Sequence, residues 1–120
     1  MRVIIAGSRD VSDIRLVEEA IVSSGIFPTI VLCGTARGVD LLGKIWAAHA
    51  GIPVKDYPAN WDAHGKSAGY KRNTLMAENA DALIAVWDGK SKGTKHMIDI
   101  ANKRGLKVYV HILVEEIPTI

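Results

Sequence analysis

Four glycine-bearing segments carry most of the residues in this chain that are able to hold an anion. They read Gly7-Ser8-Arg9-Asp10, then Gly34-Thr35-Ala36-Arg37-Gly38-Val39-Asp40, then Gly65-Lys66-Ser67-Ala68-Gly69 with Arg72-Asn73 behind it, and Trp87-Asp88-Gly89-Lys90-Ser91-Lys92-Gly93-Thr94. Asn60-Trp61 stands just ahead of the third segment. Glycine lets a backbone approach a ligand closely, and the free amides at a helix start favour negative charge. Eight of the fifteen Lys and Arg residues fall in or beside these segments: Arg9, Arg37, Lys66, Lys71, Arg72, Lys90, Lys92 and Lys95. Such a concentration suits a small polyanion such as a nucleotide.

The spacings also exclude. Neither Gly7-Ser8-Arg9 nor Gly34-x-x-x-Gly38 fits the dinucleotide pattern G-x-G-x-x-G, and Gly65-Lys66-Ser67 lacks the upstream glycine of a P-loop, so Walker-type ATP hydrolysis is not expected. Several residues have two readings. Trp61 and Trp87 suit base stacking or plain packing, whereas Trp46 reads as core. Asp40, Ser67 and Thr94 suit helix caps as well as ligand contacts. Cys33, the single cysteine, excludes an internal disulfide and reads as a small buried hydrophobe. His49, His64, His96 and His111 have no metal-ligand spacing, so neither a metal nor a cofactor is expected.

The elements that must position these loops are legible as an alternation. Apolar runs at residues 2–6, 29–33, 53–57, 82–86 and 107–112 read as strands. Helical patterns occupy 13–24, 39–50, 67–79 and 93–104, and 58–66 is a polar stretch. Repeated strand and helix means parallel pairing through right-handed crossovers, and near-continuous apolar strands mean both faces of the sheet are covered. The expected fold is α/β, a Rossmann-like doubly wound parallel sheet of about five strands in a single domain over residues 1–120. In such sheets ligands bind beyond the carboxyl ends of the strands, where the strand order reverses. Every segment named above lies there.

Composition agrees with a globular chain: 120 residues, 48% hydrophobic, 23% charged. A net charge of +2 by itself implies neither nucleic acid nor an anionic membrane. No apolar run approaches the roughly 20 residues that span a bilayer, and the run at 3–6 is too short for a signal peptide. The expectation is a cytoplasmic protein without a membrane partner.

The ordered set GSR, G-x-A-R-G-x-D, A-N-W, G-K-S-A-G, R-N-x-x-M-A, A-D-A-L-I-A-x-W-D-G and S-x-G-T resembles the YspA-like branch of the SLOG superfamily, from residue 1 to about 110. That resemblance implies a Rossmann-like fold binding nucleotides or nucleotide-derived molecules. The relatives include LOG phosphoribohydrolases, DprA proteins and sensor domains for ADP-ribose-type signals. It implies a first-loop contact at Gly7, Ser8 and Arg9, and a second-loop signature at Gly34, Ala36, Arg37, Gly38 and Asp40, with Thr35 where glycine is common. It also implies an Arg-Asn pair at Arg72 and Asn73 and a phosphate turn at Gly89, Ser91, Gly93 and Thr94. Trp61, Lys66, Ser67, Trp87 and Asp88 complete the ligand-binding set.

In LOG hydrolases a glutamate closely follows the Gly-Thr turn. Here Lys95, His96, Met97 and Ile98 follow Thr94, and the first carboxylate is Asp99. Cleavage of a glycosidic bond ordinarily uses a pair of acids. Binding without turnover is therefore the preferred reading, for a sensor or sequestering module that takes an ADP-ribose-like or cyclic nucleotide ligand. The alternative is a nucleoside-monophosphate phosphoribohydrolase or N-glycosidase using Asp88 or Asp99, with Asp10, Asp40 and Asp62 as further substitutes. Single-stranded nucleic acid binding, stacked on Trp61 and Trp87, ranks third because the charge is modest. Apolar residues beyond one helical stripe (Leu41, Leu42, Ile45, Trp46, Tyr70, Leu75, Met76) and in the tail (Ile112, Leu113, Val114, Ile117) point to a homo-oligomer, a dimer or tetramer.

Overall fold

The computed structural model describes residues 1–113. Chain order is β1 (Arg2–Gly7), α1 (Ile14–Ser24), β2 (Ile30–Cys33), α2 (Val39–His49), β3 (Val54–Asp56), α3 (Trp61–His64), a 3-10 turn (Gly65–Ser67), α4 (Ala68–Glu78), β4 (Ala82–Trp87), α5 (Lys92–Lys103) and β5 (Lys107–Ile112). The five strands are parallel, in the order β3-β2-β1-β4-β5. This is the expected Rossmann-like α/β sheet. The order reverses between β1 and β4, which places the switch point at their carboxyl ends.

Alternate residues of the central strands serve opposite cores, which is why those strands are apolar throughout. Val3, Ile5, Ala82, Ile84 and Val86 join Val17, Ala20 and Ile21 of α1 and Val39 and Ala47 of α2. Ile4, Ala6, Leu83 and Ala85 join Met76 and Ala77 of α4 and Met97, Ile98 and Ala101 of α5. Each fully buried aliphatic side chain contributes about 1.5–3 kcal/mol. α2 lies directly on β1 because position 43 is glycine: a Cβ there would stand 2.6 Å from Ile5 Cγ2.

Two expectations change. The polar stretch at 58–66 contains the one-turn α3, whose cap Asn60 accepts from the Ala63 amide at 3.1 Å through Oδ1. A four-residue helix with no buried side chain leaves no apolar period to read. Met76 is buried core, not part of an outer apolar face, whereas Leu41, Ile45, Tyr70 and Leu75 are exposed. In the tail, Ile112 is exposed and Leu113 packs on the core; Val114 and Ile117 lie outside the described residues. Among the described residues no helix is long and apolar enough to cross a membrane.

Candidate functional site

Close packing at Gly7 brings the loop after β1 against the end of β4 and the start of α2 at the switch point. A Cβ on Gly7 would stand 2.1 Å from the Val86 carbonyl oxygen and 2.8 Å from Val39 Cγ2. Ser8, buried, ties three segments together: its amide donates to Val86 O at 3.0 Å, its carbonyl accepts from the Val39 amide at 3.3 Å, and its Oγ accepts from the Asp88 amide at 3.0 Å. Gly38 has φ +82, and a Cβ there would meet Ser8 O at 2.4 Å. These residues build the floor from behind.

Beyond them opens a cleft with two lobes. The inner lobe, about 210 Å³, runs from β1 to the start of α5 and is bordered by Arg9, Asp40, Lys66, Arg72, Ser91 and Gly93 among others. The outer lobe, about 320 Å³, is bordered by Arg9, Gly34, Arg37, Pro58, Trp61 and Arg72. Arg9, Ala36, Trp61 and Arg72 line both. Together the lobes reach the size of a small-molecule site, roughly 300–1,000 Å³.

Arg72 and Asp40 meet over Gly34. A Cβ on Gly34 would lie 2.6 Å from Asp40 Oδ2 and 2.8 Å from Arg72 Nη1, so glycine is what admits both side chains. Arg72 Nη1 donates to Gly34 O, and its Nε donates to Asn73 Oδ1 at 2.9 Å. Burial lowers the Arg72 guanidinium from its usual value, and Asp40 opposes that shift. Asp40 Oδ2 accepts from the Ala36 amide at 3.2 Å. Burial pushes its carboxyl up to about 6, against the pull of Arg72, the Ala36 and Gly7 amides and Arg9.

Asn73 braces α4 against α5. Its Nδ2 donates to Gly93 O at 3.2 Å and faces His96 Nδ1, also at 3.2 Å. Burial holds the His96 imidazole below its usual value, and its ring lies 4.3 Å from that of Tyr70. At the head of α5 the Ser91 Oγ caps the Thr94 amide at 3.4 Å and contacts Thr94 Oγ1 at 3.0 Å. A Cβ on Gly93 would meet nothing within 4 Å, so the backbone there is open to the cleft.

The sequence-predicted residues thus divide. Gly7, Arg9, Ala36, Asp40, Trp61, Lys66, Arg72, Asn73, Ser91, Gly93 and Thr94 line the inner lobe, and Gly34 and Arg37 the outer. Ser8, Gly38, Ser67, Trp87, Asp88 and Gly89 border neither lobe. Trp87 packs on the core and donates from Nε1 to Ser91 O at 3.1 Å. Ser67 Oγ donates to His64 O at 2.9 Å, and Gly89 makes a turn at φ +80. Arg37 pairs with Asp10 at 3.4 Å.

Neither candidate acid borders the cleft. Asp88 Oδ1 accepts from the Ser91 and Lys90 amides, both at 2.8 Å, and those bonds hold its carboxyl below the usual range. Asp99 pairs with Lys95 one turn earlier at 2.7 Å, in solvent. Cys33 is buried, its thiol pushed up to about 11 by desolvation.

Sequence reasoning missed Tyr70, Met76 and Met97 as cleft residues and Pro58 and Ala59 at the outer lobe. Tyr70 carried a signal: it lies two positions before Arg72 in a helix whose first turn faces the rim. Thr35 carried another. It has φ +65, the only positive φ outside glycine among the described residues, which explains why glycine suits that place.

Comparison with known proteins places this geometry in a family. The model for the YspA, cpYpsA-related SLOG family matches residues 1–64. That span covers the first two loops and stops short of Arg72, Asn73 and the turn before α5, where the motif resemblance had extended to about residue 110. The Gene 61 protein of Mycobacterium phage D29 is 35% identical over 116 residues, 89% of this chain and 93% of that protein. DNA processing protein A (DprA) from Streptococcus pneumoniae shares the fold at a TM-score of 0.72 and 18% identity, over 91% of this chain and 49% of that one. The chain therefore spans about half the length of that solved structure. The matched glycine loops, the parallel sheet and a relative aligned over most of its length converge on one conclusion: this chain belongs to the YspA, cpYpsA-related SLOG family.

Proposed function

We propose that the cleft binds a nucleotide-derived small molecule, an ADP-ribose-like or cyclic nucleotide ligand, and that the protein holds it as a sensor or sequestering module. The observation that carries this reading is the pair Arg9 and Arg72, which border both lobes beside the open Gly93 backbone at the head of α5. Guanidinium groups recognise phosphate in a fixed planar geometry, and a helix start favours the same charge. Trp61, exposed between the lobes, offers a base a stacking face.

The acids support binding without cleavage. Among the described residues, Asp40 is the single carboxylate lining either lobe, whereas glycoside hydrolysis ordinarily uses two. We further propose that the protein acts in the cytoplasm as a dimer or tetramer joined through Leu41, Ile45 and Leu75, with a sedimentation measurement as the check.

The functional test is mass spectrometry of small molecules released from purified protein by denaturation, followed by incubation of the recovered compound with fresh protein. The expected result is a nucleotide or ADP-ribose derivative returned unchanged and missing from Arg72→Ala preparations. Release of ribose 5-phosphate or a free base overturns the non-catalytic reading. A ligand panel with no nucleotide affinity tighter than millimolar overturns binding itself. Steeply salt-dependent capture of single-stranded DNA in its place would favour a nucleic-acid role.

A further inference from the structure

Asp40 poses a question that its place in a cationic cleft makes sharper. It is 5% exposed and forms part of the inner-lobe wall. An ionised carboxylate offers about four acceptor directions. The Ala36 amide takes one, on Oδ2 at 3.2 Å, and the Gly7 amide lies close enough to stabilise the charge. Arg72 does not close on it: its Nη1 and Nε are committed to Gly34 O and Asn73 Oδ1. A buried carboxylate with acceptor capacity left over takes its remaining donor from whatever fills the cleft.

The charges around Asp40 narrow what that donor can be. A phosphate is repelled by the carboxylate itself. A metal ion or an ammonium is repelled by Arg9 and Arg72, whose fields both reach this carboxyl. A neutral hydrogen-bond donor remains. In a nucleotide the neutral donors are the sugar hydroxyls and the N–H groups of the base.

Distance separates those two. Asp40 Oδ2 and Arg72 Nη1 lie against the same glycine, 2.6 and 2.8 Å from the point where a Gly34 Cβ would stand. A phosphate on Arg72 therefore has Asp40 as its near neighbour. The group bonded directly to a nucleotide's phosphate is the sugar, and the base lies one unit further off. The outer lobe, with Arg37 as a third arginine, Trp61, and no carboxylate among the described residues of its wall, has the room and the stacking face for that more distant part.

From this juxtaposition we infer that Asp40 is a specificity-determining residue that accepts a hydrogen bond from a ribose hydroxyl of the ligand while Arg72 and Arg9 hold the adjoining phosphate, so that the cleft selects ribonucleotides over their deoxy forms. The inference rests on the cleft being a nucleotide site.

The test is calorimetric titration of the full chain with AMP, 2′-deoxy-AMP, 3′-deoxy-AMP, IMP and ADP-ribose. A hydrogen bond to a charged group is worth about a tenfold change in affinity or more, so one of the two deoxy compounds should bind at least about tenfold more weakly than AMP. Asp40→Asn should weaken AMP binding and shrink that gap to within about twofold. The wild-type comparison of AMP with its deoxy forms needs no variant and carries the test by itself. Equal binding of AMP and both deoxy forms overturns the sugar assignment and leaves the nucleotide site intact. Equal deoxy binding together with a tenfold loss on replacing AMP by IMP transfers the donor to the base and also overturns it. If no member of the panel binds, the nucleotide site falls and the assignment falls with it.

Discussion

Replacing Asp40 by Asn should stabilise this protein at neutral pH, although the change removes a charge flanked by two arginines. The ordinary aspartate value is 3.8, and in the folded chain burial lifts the Asp40 carboxyl to about 6. Arg72 and Arg9 and the amides of Ala36 and Gly7 all pull the other way and do not win. A group whose folded value lies above its unfolded one binds its proton more tightly when folded. Its stabilising contribution is complete below pH 3.8 and is lost as pH rises through about 6. The gap corresponds to a penalty on the order of 3 kcal/mol once the group is ionised. Asn keeps the shape and an acceptor for the Ala36 amide without the charge, so Asp40→Asn should recover much of that penalty at pH 7 and little at pH 4. Urea unfolding of both proteins at pH 4, 5, 6 and 7 measures it. A stability difference between them that does not grow between pH 4 and pH 7 would refute the reasoning, since it would mean that the carboxyl is not strained by ionisation.

Three further outcomes are expected. Thr35→Gly should raise the melting temperature, because a left-handed φ of +65 costs a β-branched residue about 1–2 kcal/mol and glycine's extra freedom when unfolded returns only about 0.5–1 kcal/mol of that; an unchanged or lower melting temperature would count against strain there. Gly7→Ala should cost about 1–3 kcal/mol, since its Cβ would collide with the Val86 carbonyl at 2.1 Å, whereas Gly93→Ala, with nothing within 4 Å, should fold normally and lose ligand affinity; thermal melts beside titrations separate the two. Asp99→Asn should leave affinity unchanged and stability within about 0.5 kcal/mol, as its partner Lys95 lies with it in solvent, and a loss of ligand affinity would return Asp99 to the site.

The fold was legible because the strands announce themselves. Strands buried on both faces are continuous apolar runs, and the β1, β2 and β4 cores lie inside the runs read from sequence, with bounds moved by a residue at most. The loop containing α3 was not legible, because a single exposed turn capped by Asn60 leaves no periodicity. In the site, glycine spacing located the rim but not the direction in which each neighbour points. Ser8 sits between Gly7 and Arg9 in sequence, yet it is buried behind the floor while Arg9 borders both lobes. Trp61 and Trp87 looked alike as stacking surfaces, but Trp87 packs on the core, donates its indole N–H to Ser91 O and borders neither lobe. Tyr70 looked like spare apolar surface, yet it borders the inner lobe and lies against His96. These distinctions depend on which face of an element a side chain occupies at its terminus, where periodicity has just ended.

Two places where the described residues break local rules, a buried ionisable acid at Asp40 and a threonine at positive φ, adjoin the same glycine loop. Such breaches gather at functional sites, where stability is given up for geometry. They also provide a way to tell function from accident. If Asp40 only shaped the loop, Asp40→Asn would lower stability and affinity together. If it is retained to accept a donor from the ligand, the same substitution must raise stability at pH 7 while affinity falls. Ligand binding should then restore part of what Asp40 costs the empty protein, with a stabilisation that grows as RT ln(1 + [L]/Kd) in wild type and is smaller in the variant at equal ligand concentration. Stability and affinity moving in opposite directions is the signature that separates a binding carboxylate from a structural one.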